Sequence, residues 1–254
     1  MVVKISSIGV VILAAGKGTR LQNPDSPKVM APIGGQPILS YIVSTFEAMG
    51  FGSGQIVVVV GYRQEKIRAF FGSRVTYAEQ TELLGTAHAA YTGMRALPPS
   101  VTDVVVLGGD DSAFYTQETL RKALQQHNES QVVLTLLTAR AEHPEQLGRI
   151  VRHPNGSIEI IEKEYLTPEQ KLISEISTGT FIFNRAWFES IFPTMPKLRK
   201  LGEYGLPTAL AMAREAGVPY QVVPLPNPME WFGVNTVEEL AEADRRKKTT
   251  SSSL

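Results

Sequence analysis

Three runs in the chain are short, β-branched and apolar almost without a break: Ile8–Ala14, Ile56–Val60 and Val104–Leu107. They lack the alternation of a strand with one wet face, and so predict central strands of a parallel sheet covered on both sides. Between and after them lie the mixed helical stretches Ile38–Met49, Gln64–Phe71, Ala87–Ala96 and Gln117–Glu129. Strand alternating with helix means repeated βαβ units, hence an α/β fold with a Rossmann-like, doubly wound, mostly parallel sheet.

After about residue 130 the pattern changes. Val132–Thr138 reads as a strand, Arg149–His153 and Ser157–Glu162 as a hairpin around Pro154-Asn155-Gly156, and Phe181–Asn184 as one more strand. This half is expected to be mixed α+β. A last helix starts near Asn235 or Thr236 and runs into Arg245-Arg246-Lys247-Lys248, after which Thr249 to Leu254 should be disordered. We therefore expect one domain over residues 1–248, with halves 1–130 and 131–248. No internal repeat occurs, in particular no hexapeptide pattern of a β-helix.

Composition narrows the chemistry. With no cysteine among 254 residues, disulfides, thiolate metal sites and cysteine nucleophiles are excluded. Lys+Arg and Asp+Glu balance at 25 each, so no overall field draws the chain to nucleic acid or an anionic membrane. Any phosphate site must be local. Lys4 followed by Ile8 to Gly16 imitates a signal peptide, but the positive region is one lysine and Ser6 and Ser7 interrupt the apolar run. No segment reaches the ~18 to 20 apolar residues of a membrane span, and a cytoplasmic protein is expected.

The first strand ends in Leu13-Ala14-Ala15-Gly16-Lys17-Gly18-Thr19-Arg20. Two glycines, a hydroxyl and two cations thus sit at the carboxyl end of a strand, where α/β sheets bind ligands. Glycines bring backbone N–H groups close to an anion, and Lys17 and Arg20 add charge. The loop is neither a Walker A motif nor GxGxxG. Read alone, it is a phosphate loop or a structural strand-to-helix turn.

This loop, followed by Pro27-Lys28-Val29-Met30 and Pro32-Ile33-Gly34-Gly35-Gln36-Pro37-Ile38-Leu39, resembles the start of the sugar-nucleotide pyrophosphorylases and related NTP transferases. Glu79-Gln80-Thr81-Glu82-Leu83-Leu84-Gly85-Thr86-Ala87-His88-Ala89 is similar to the base-reading segment of the N-acetylglucosamine-1-phosphate uridyltransferases. Gly148-Arg149-Ile150-Val151-Arg152, Ile161-Glu162-Lys163, Glu175-Ile176-Ser177-Thr178-Gly179, Glu203-Tyr204 and Gly233-Val234-Asn235 follow in the family's order. The resemblance implies that Leu13 to Thr19 and Arg20 hold a triphosphate and that Lys28 lies on the phosphate under attack. It further implies that Gln80, Gly85 and Thr86 contact uracil, and that Gly148, Glu162, Ser177 and Thr178 receive the sugar. Its implied substrates are an NTP, UTP in particular, and a sugar 1-phosphate.

Such a transfer needs charge neutralisation and alignment more than a general base, because the attacking phosphate is already anionic. Asp110, after Val104–Leu107 and Gly108-Gly109, is the leading ligand for Mg²⁺ as the cofactor, or else a turn aspartate. Asp111 is secondary, since neighbours at a strand end point apart. Asn235 supplies the family's second metal oxygen, yet Thr236-Val237-Glu238-Glu239 beside it is also a capping-box pattern. Apart from the resemblance, Lys28 reads as a solvated lysine and Glu162 as an exposed strand residue. His88, His127, His143 and His153 show no metal spacing and read as structural or surface residues.

Two departures bear on substrate. Ser177 stands where the acetylglucosamine enzymes carry asparagine, so UDP-glucose competes with UDP-N-acetylglucosamine as product. Asp110-Asp111-Ser112-Ala113 lacks the proline usual after the family's Gly-Asp. Without a β-helix pattern, acetyl transfer is not expected, and no oligomeric state follows. The alternatives are transfer to another phosphorylated acceptor and a non-catalytic nucleotide-binding module.

Overall fold

The computed structural model describes residues 4–16, 18, 25–144, 147–198 and 202–251. The strands, in chain order, are β1 (Ile8–Leu13), β2 (Pro32–Ile33), β3 (Gln36–Pro37), β4 (Ile56–Val60), β5 (Thr76–Glu79), β6 (Asp103–Gly108), β7 (Leu134–Arg140), β8 (Arg149–Arg152), β9 (Ile158–Ile161), β10 (Glu175–Asn184) and β11 (Tyr220–Pro224). The helices are α1 (Ile38–Ala48), α2 (Gln64–Phe71), α3 (Thr86–Met94), α4 (Gln117–Ser130), α5 (Arg185–Ile191), α6 (Leu206–Glu215) and α7 (Val237–Ser251).

The main sheet runs β11-β7-β10-β6-β1-β4-β5. β1 pairs in parallel with β4 and β6, β4 with β5, and β11 with β7. β10 is antiparallel to both of its neighbours, β6 and β7. The hairpin of β8 and β9 extends from β10. The expected α/β sheet is thus mostly parallel, with the reversed strand β10 set between β7 and β6.

Side-chain alternation explains why these strands read as continuous apolar runs. Val10, Ile12, Val58, Val60, Val105 and Leu107 face α1, α2 and α4 through Phe46, Ile67 and Leu120. Val11, Val57, Val59, Val104 and Val106 face the other layer, meeting Ala90 and Met94 of α3, Phe188 of α5 and Leu210 of α6. Both faces are dry, so neither has room for polar positions. Gly93 of α3 allows close approach: a β-carbon there would come within 2.4 Å of Val11.

The connections through α1 and α2 carry the chain from β1 outward to β4 and β5, and α3 returns it to β6 on the other side of β1. The strand order therefore reverses between β1 and β6. In open α/β sheets the crevice at such a reversal is where ligands bind.

α7 starts at a capping box built by Thr236 and Glu239, not by Asn235. Thr236 Oγ1 accepts from the Glu239 N–H at 3.2 Å, and Glu239 Oε2 accepts from the N–H groups of Asn235 and Thr236. The helix continues to Ser251, beyond the expected end at Lys248; Thr249 Oγ1 donates back to the Arg245 carbonyl at 3.0 Å. α7 is tied to the first half by Asp244, which accepts from Gly34 N–H at 2.8 Å, and by Lys247, which donates to the Ala113 carbonyl. No described helix is long and apolar enough to cross a membrane.

Candidate active site

A cleft of about 640 Å³ opens at the β1/β6 reversal. Leu13, Ala14, Ala15, Gly16 and Gly18 line one side, and Gln80, Gly85 and Thr86 line the next. Lys28 and Asp110 stand at the floor, while Gly148, Glu162, Ser177 and Thr178 form the far wall. Lys17, Thr19 and Arg20 lie outside the described residues.

Lys28 opens a 3-10 turn, Lys28–Met30, whose Val29 is anchored in the core. Its ammonium is largely buried and meets two oxygens from distant parts of the chain: it pairs with Asp110 Oδ2 and donates to Asn235 Oδ1 at 2.9 Å. Gly18 is required beside it. Its φ is +60°, and a β-carbon there would lie 2.4 Å from that of Lys28.

Two oxygen donors that converge on one cationic nitrogen also fit a hard divalent cation, whose remaining positions water and phosphate oxygens would fill. Among the described residues, no cluster of three or more His, Cys, Asp or Glu is placed to hold a metal. The fit thus rests on Asp110 and Asn235 plus oxygens from a ligand. Asn235 joins the site through its contact with Lys28, which lines the cleft.

Asp111 does not point away from Asp110. A β-carbon on Gly108 would meet Asp111 Oδ1 at 2.7 Å and Asp110 Oδ1 at 3.0 Å, so both carboxylates fold back over the end of β6 and both line the cleft. The turn beyond β6 breaks the alternation expected of an extended strand. Burial, then the charge of Asp110, push the Asp111 carboxyl up to about 8, opposed by Lys28. Its Oδ1 is buried and has no hydrogen-bond partner among the described residues.

At the other end, Gly85 has φ +103°, and a β-carbon there would come within 2.5 Å of the Tyr204 carbonyl. This close fit docks the loop after β5 onto the segment before α6: Ala87 N–H donates to the Tyr204 carbonyl at 2.8 Å, and Thr86 Oγ1 accepts from Leu206 N–H at 3.0 Å. The Thr86 hydroxyl oxygen is thereby shared with the protein.

On the far wall β10 slips register against β7 between Ser177 and Phe181, with Gly179 at φ +72°. Ser177 Oγ accepts from Gly179 N–H at 3.2 Å and remains on the cleft wall. Thr178 is buried, and its hydroxyl donates inward to the Leu137 carbonyl at 2.8 Å while its own carbonyl accepts from Trp231 Nε1 at 2.9 Å. Thr178 therefore shapes the wall with its side chain turned into the sheet. Glu162, just past β9, is half-buried rather than exposed; burial and then Glu164 raise its pKa, opposed by Lys163. A β-carbon on Gly148 would sit 3.4 Å from Glu162 Oε2, so Gly148 keeps the approach to that carboxylate open.

A family model of the MobA-like NTP transferase domain matches residues 10–248. The chain belongs to this family. The bifunctional protein GlmU of Symbiobacterium thermophilum is 36% identical over 244 residues, 95% of this chain and 51% of that protein. GlmU of Geobacter sulfurreducens is 34% identical over 247 residues, 96% of this chain and 51% of that protein. The chain spans about half the length of the curated relatives it matches. A solved structure described as a glucose-1-phosphate thymidylyltransferase from Bacillus anthracis, in complex with sucrose, shares the fold, with a TM-score of 0.79 over 95% of each chain at 21% identity.

In this MobA-like NTP transferase domain, the structure brings every described candidate to one place. The cleft also takes residues with no role in the sequence reading: Leu83, Glu203, Leu206, Pro207 and Trp231. Leu83 and Glu203 belong to recognised motifs without a role assigned to them; Leu206, Pro207 and Trp231 carried no signal, because their part in the wall depends on α6 and the segment before α7 folding back over the first half.

Proposed function

We propose that the chain transfers a nucleotidyl group from an NTP, UTP in the first instance, to a sugar 1-phosphate and releases pyrophosphate. The observation that carries this reading is the meeting of Lys28, Asp110 and Asn235 at the cleft between the ends of β1 and β6. Around that cationic centre the cleft is lined by a glycine loop, by Gln80, Gly85 and Thr86, and by Gly148, Glu162 and Ser177. In this reading residues 1–130 are the nucleotide half and 131–248 the acceptor half.

An oxygen of the acceptor phosphate forms a bond to the α-phosphorus, and the bond from that phosphorus to the bridging oxygen breaks, with pyrophosphate taking the electron pair. With a second pKa of about 6, the acceptor needs no general base at neutral pH. Two polyanions must instead be held in line. Backbone groups of Ala15, Gly16 and Gly18 cradle the triphosphate, and Lys28 leaves its resting pair to stand against the reacting phosphate, where negative charge builds. Mg²⁺ held by Asp110 and Asn235 would supply further charge neutralisation when bound.

The resemblance of the Gln80 to Ala89 segment to uridyltransferases supports UTP. For the acceptor, Ser177 in place of asparagine supports a hexose 1-phosphate without an acetamido group alongside the acetylated one. The test is pyrophosphate release with Mg²⁺, crossing four NTPs with glucose, N-acetylglucosamine, galactose and mannose 1-phosphates and phosphocholine. Turnover with UTP and a sugar 1-phosphate supports the reading. Turnover with CTP and phosphocholine alone, or none across the panel, overturns it.

A further inference from the structure

Gln80 follows β5 directly, and its backbone N–H still donates to the Val60 carbonyl at 2.8 Å. Its side chain is nearly buried, with a residue exposure of 5%, yet it lines the cleft. The amide nitrogen is held twice: Nε2 donates to the Gly85 carbonyl at 3.2 Å and lies 2.9 Å from His88 Nδ1, on the first turn of α3. Nε2 is thus engaged with the protein, and among the described residues Oε1 takes no hydrogen bond, which leaves the oxygen as the group Gln80 offers where it lines the cleft.

An amide nitrogen only donates and an amide oxygen only accepts. The Gly85 carbonyl is an acceptor, and His88 Nδ1 is one when the ring is neutral with its proton on Nε2. Reversing the Gln80 amide would set oxygen against oxygen and oxygen against a lone pair, and would lose both hydrogen bonds. Burial lowers the His88 pKa, opposed by Glu82, which favours the neutral ring. Only one orientation of Gln80 satisfies both neighbours, and it presents a fixed acceptor to the ligand.

We propose that His88 is a positioning residue that, with the Gly85 carbonyl, locks Gln80 Oε1 toward the cleft and so selects a nucleobase carrying a ring imino N–H. Uracil presents that donor at N3, whereas cytosine has a lone pair at N3 and would face an acceptor with an acceptor. The proposal rests on the nucleotidyltransferase reading but concerns base choice alone. It also assigns work to a histidine that has no metal or nucleophile partner.

The experiment measures UTP and CTP dissociation constants with Mg²⁺ for the wild type, His88→Leu and His88→Asn. Asparagine carries an acceptor oxygen on Cγ, where histidine carries Nδ1, whereas leucine carries none. The wild type is expected to favour UTP over CTP. His88→Leu should lose about fivefold or more of that preference, the equivalent of one hydrogen bond of ~1 kcal/mol. His88→Asn should retain it, and all three should melt within ~2 °C of one another with the same KM for the sugar 1-phosphate. An unchanged UTP to CTP ratio in His88→Leu, or failure of His88→Asn to restore a lost ratio, overturns the role of His88 while leaving the transferase reading intact. A wild type that binds CTP better than UTP overturns the lock, and one that binds no NTP overturns the transferase reading with it.

Discussion

Replacing Lys28 with methionine keeps the length of the side chain and removes its charge, and two effects of opposite sign should follow. At ~4 Å from a phosphate oxygen, with an effective dielectric of about 20, an ammonium contributes roughly 4 kcal/mol. The part of this that appears only as charge builds on the reacting phosphate corresponds to about 100- to 1,000-fold in kcat. In the structure, however, the same ammonium meets both oxygens proposed for the metal, Asp110 Oδ2 and Asn235 Oδ1. A divalent cation must displace it and break a largely buried contact between charged groups, at a cost of about 1 to 3 kcal/mol. Lys28→Met should therefore bind Mn²⁺ at least ~5-fold more tightly than the wild type without nucleotide, while turning over ~100-fold or more slowly. Mn²⁺ binding followed by electron paramagnetic resonance and pyrophosphate release read the two arms separately. Unchanged or weaker Mn²⁺ binding would refute the shared-site argument, and turnover within a few-fold of the wild type would remove Lys28 from the reacting phosphate.

Gly85→Ala places a β-carbon 2.5 Å from the Tyr204 carbonyl at φ +103°, and should cost ~2 kcal/mol or more, a fall in Tm of roughly 4 °C, with weaker UTP binding; an unchanged melt would mean that this junction yields freely. Burial tends to raise the Glu175 pKa, but hydrogen bonds from Arg152 and Thr138 outweigh it and hold the carboxyl below its usual value. The unfolded chain then binds the proton more readily than the native one, so the stability this group contributes is present above pH ~4.5 and is lost as pH falls through the lower native value. Thermal melts of the wild type and Glu175→Gln should differ at pH 6, with the difference shrinking as pH falls below ~4.5, and parallel curves would contradict the assignment. Ser177→Asn should raise kcat/KM for N-acetylglucosamine 1-phosphate relative to glucose 1-phosphate; an unchanged ratio takes Ser177 out of sugar choice.

The runs buried on both faces were legible because nothing polar interrupts them, and the glycine loop because it ends such a run. β5 and β11 were not. Thr76–Glu79 is only four residues long and leads straight into the Gln80 motif, and Tyr220–Pro224 is an edge strand ending in proline. α6 was hidden by Pro207 near its start, although proline suits the first turn of a helix. At the site, the motif positions were legible one by one, but not the geometry joining them. Spacing alone does not say that Asp111 turns back over Gly108, that Thr178 spends its hydroxyl on Leu137, or that Thr236 relieves Asn235 of capping α7.

The reversed strand β10 also sets a timetable for a chain emerging from the ribosome. β1, β4, β5 and β6 all lie before residue 109 and pair only with one another on that side of the sheet, so they can assemble early. The outer edge of β6 must wait for β10, which begins at Glu175. At about 5 to 20 residues per second, the roughly 70 intervening residues leave a flat valine-rich edge open for roughly 3 to 14 s, an interval in which another nascent chain could pair with it. The contact between Lys28 and Asn235 spans 207 positions and forms later still. Among the described residues Lys28 pairs until then with Asp110, so the three-residue centre closes only after the sheet around it is in place.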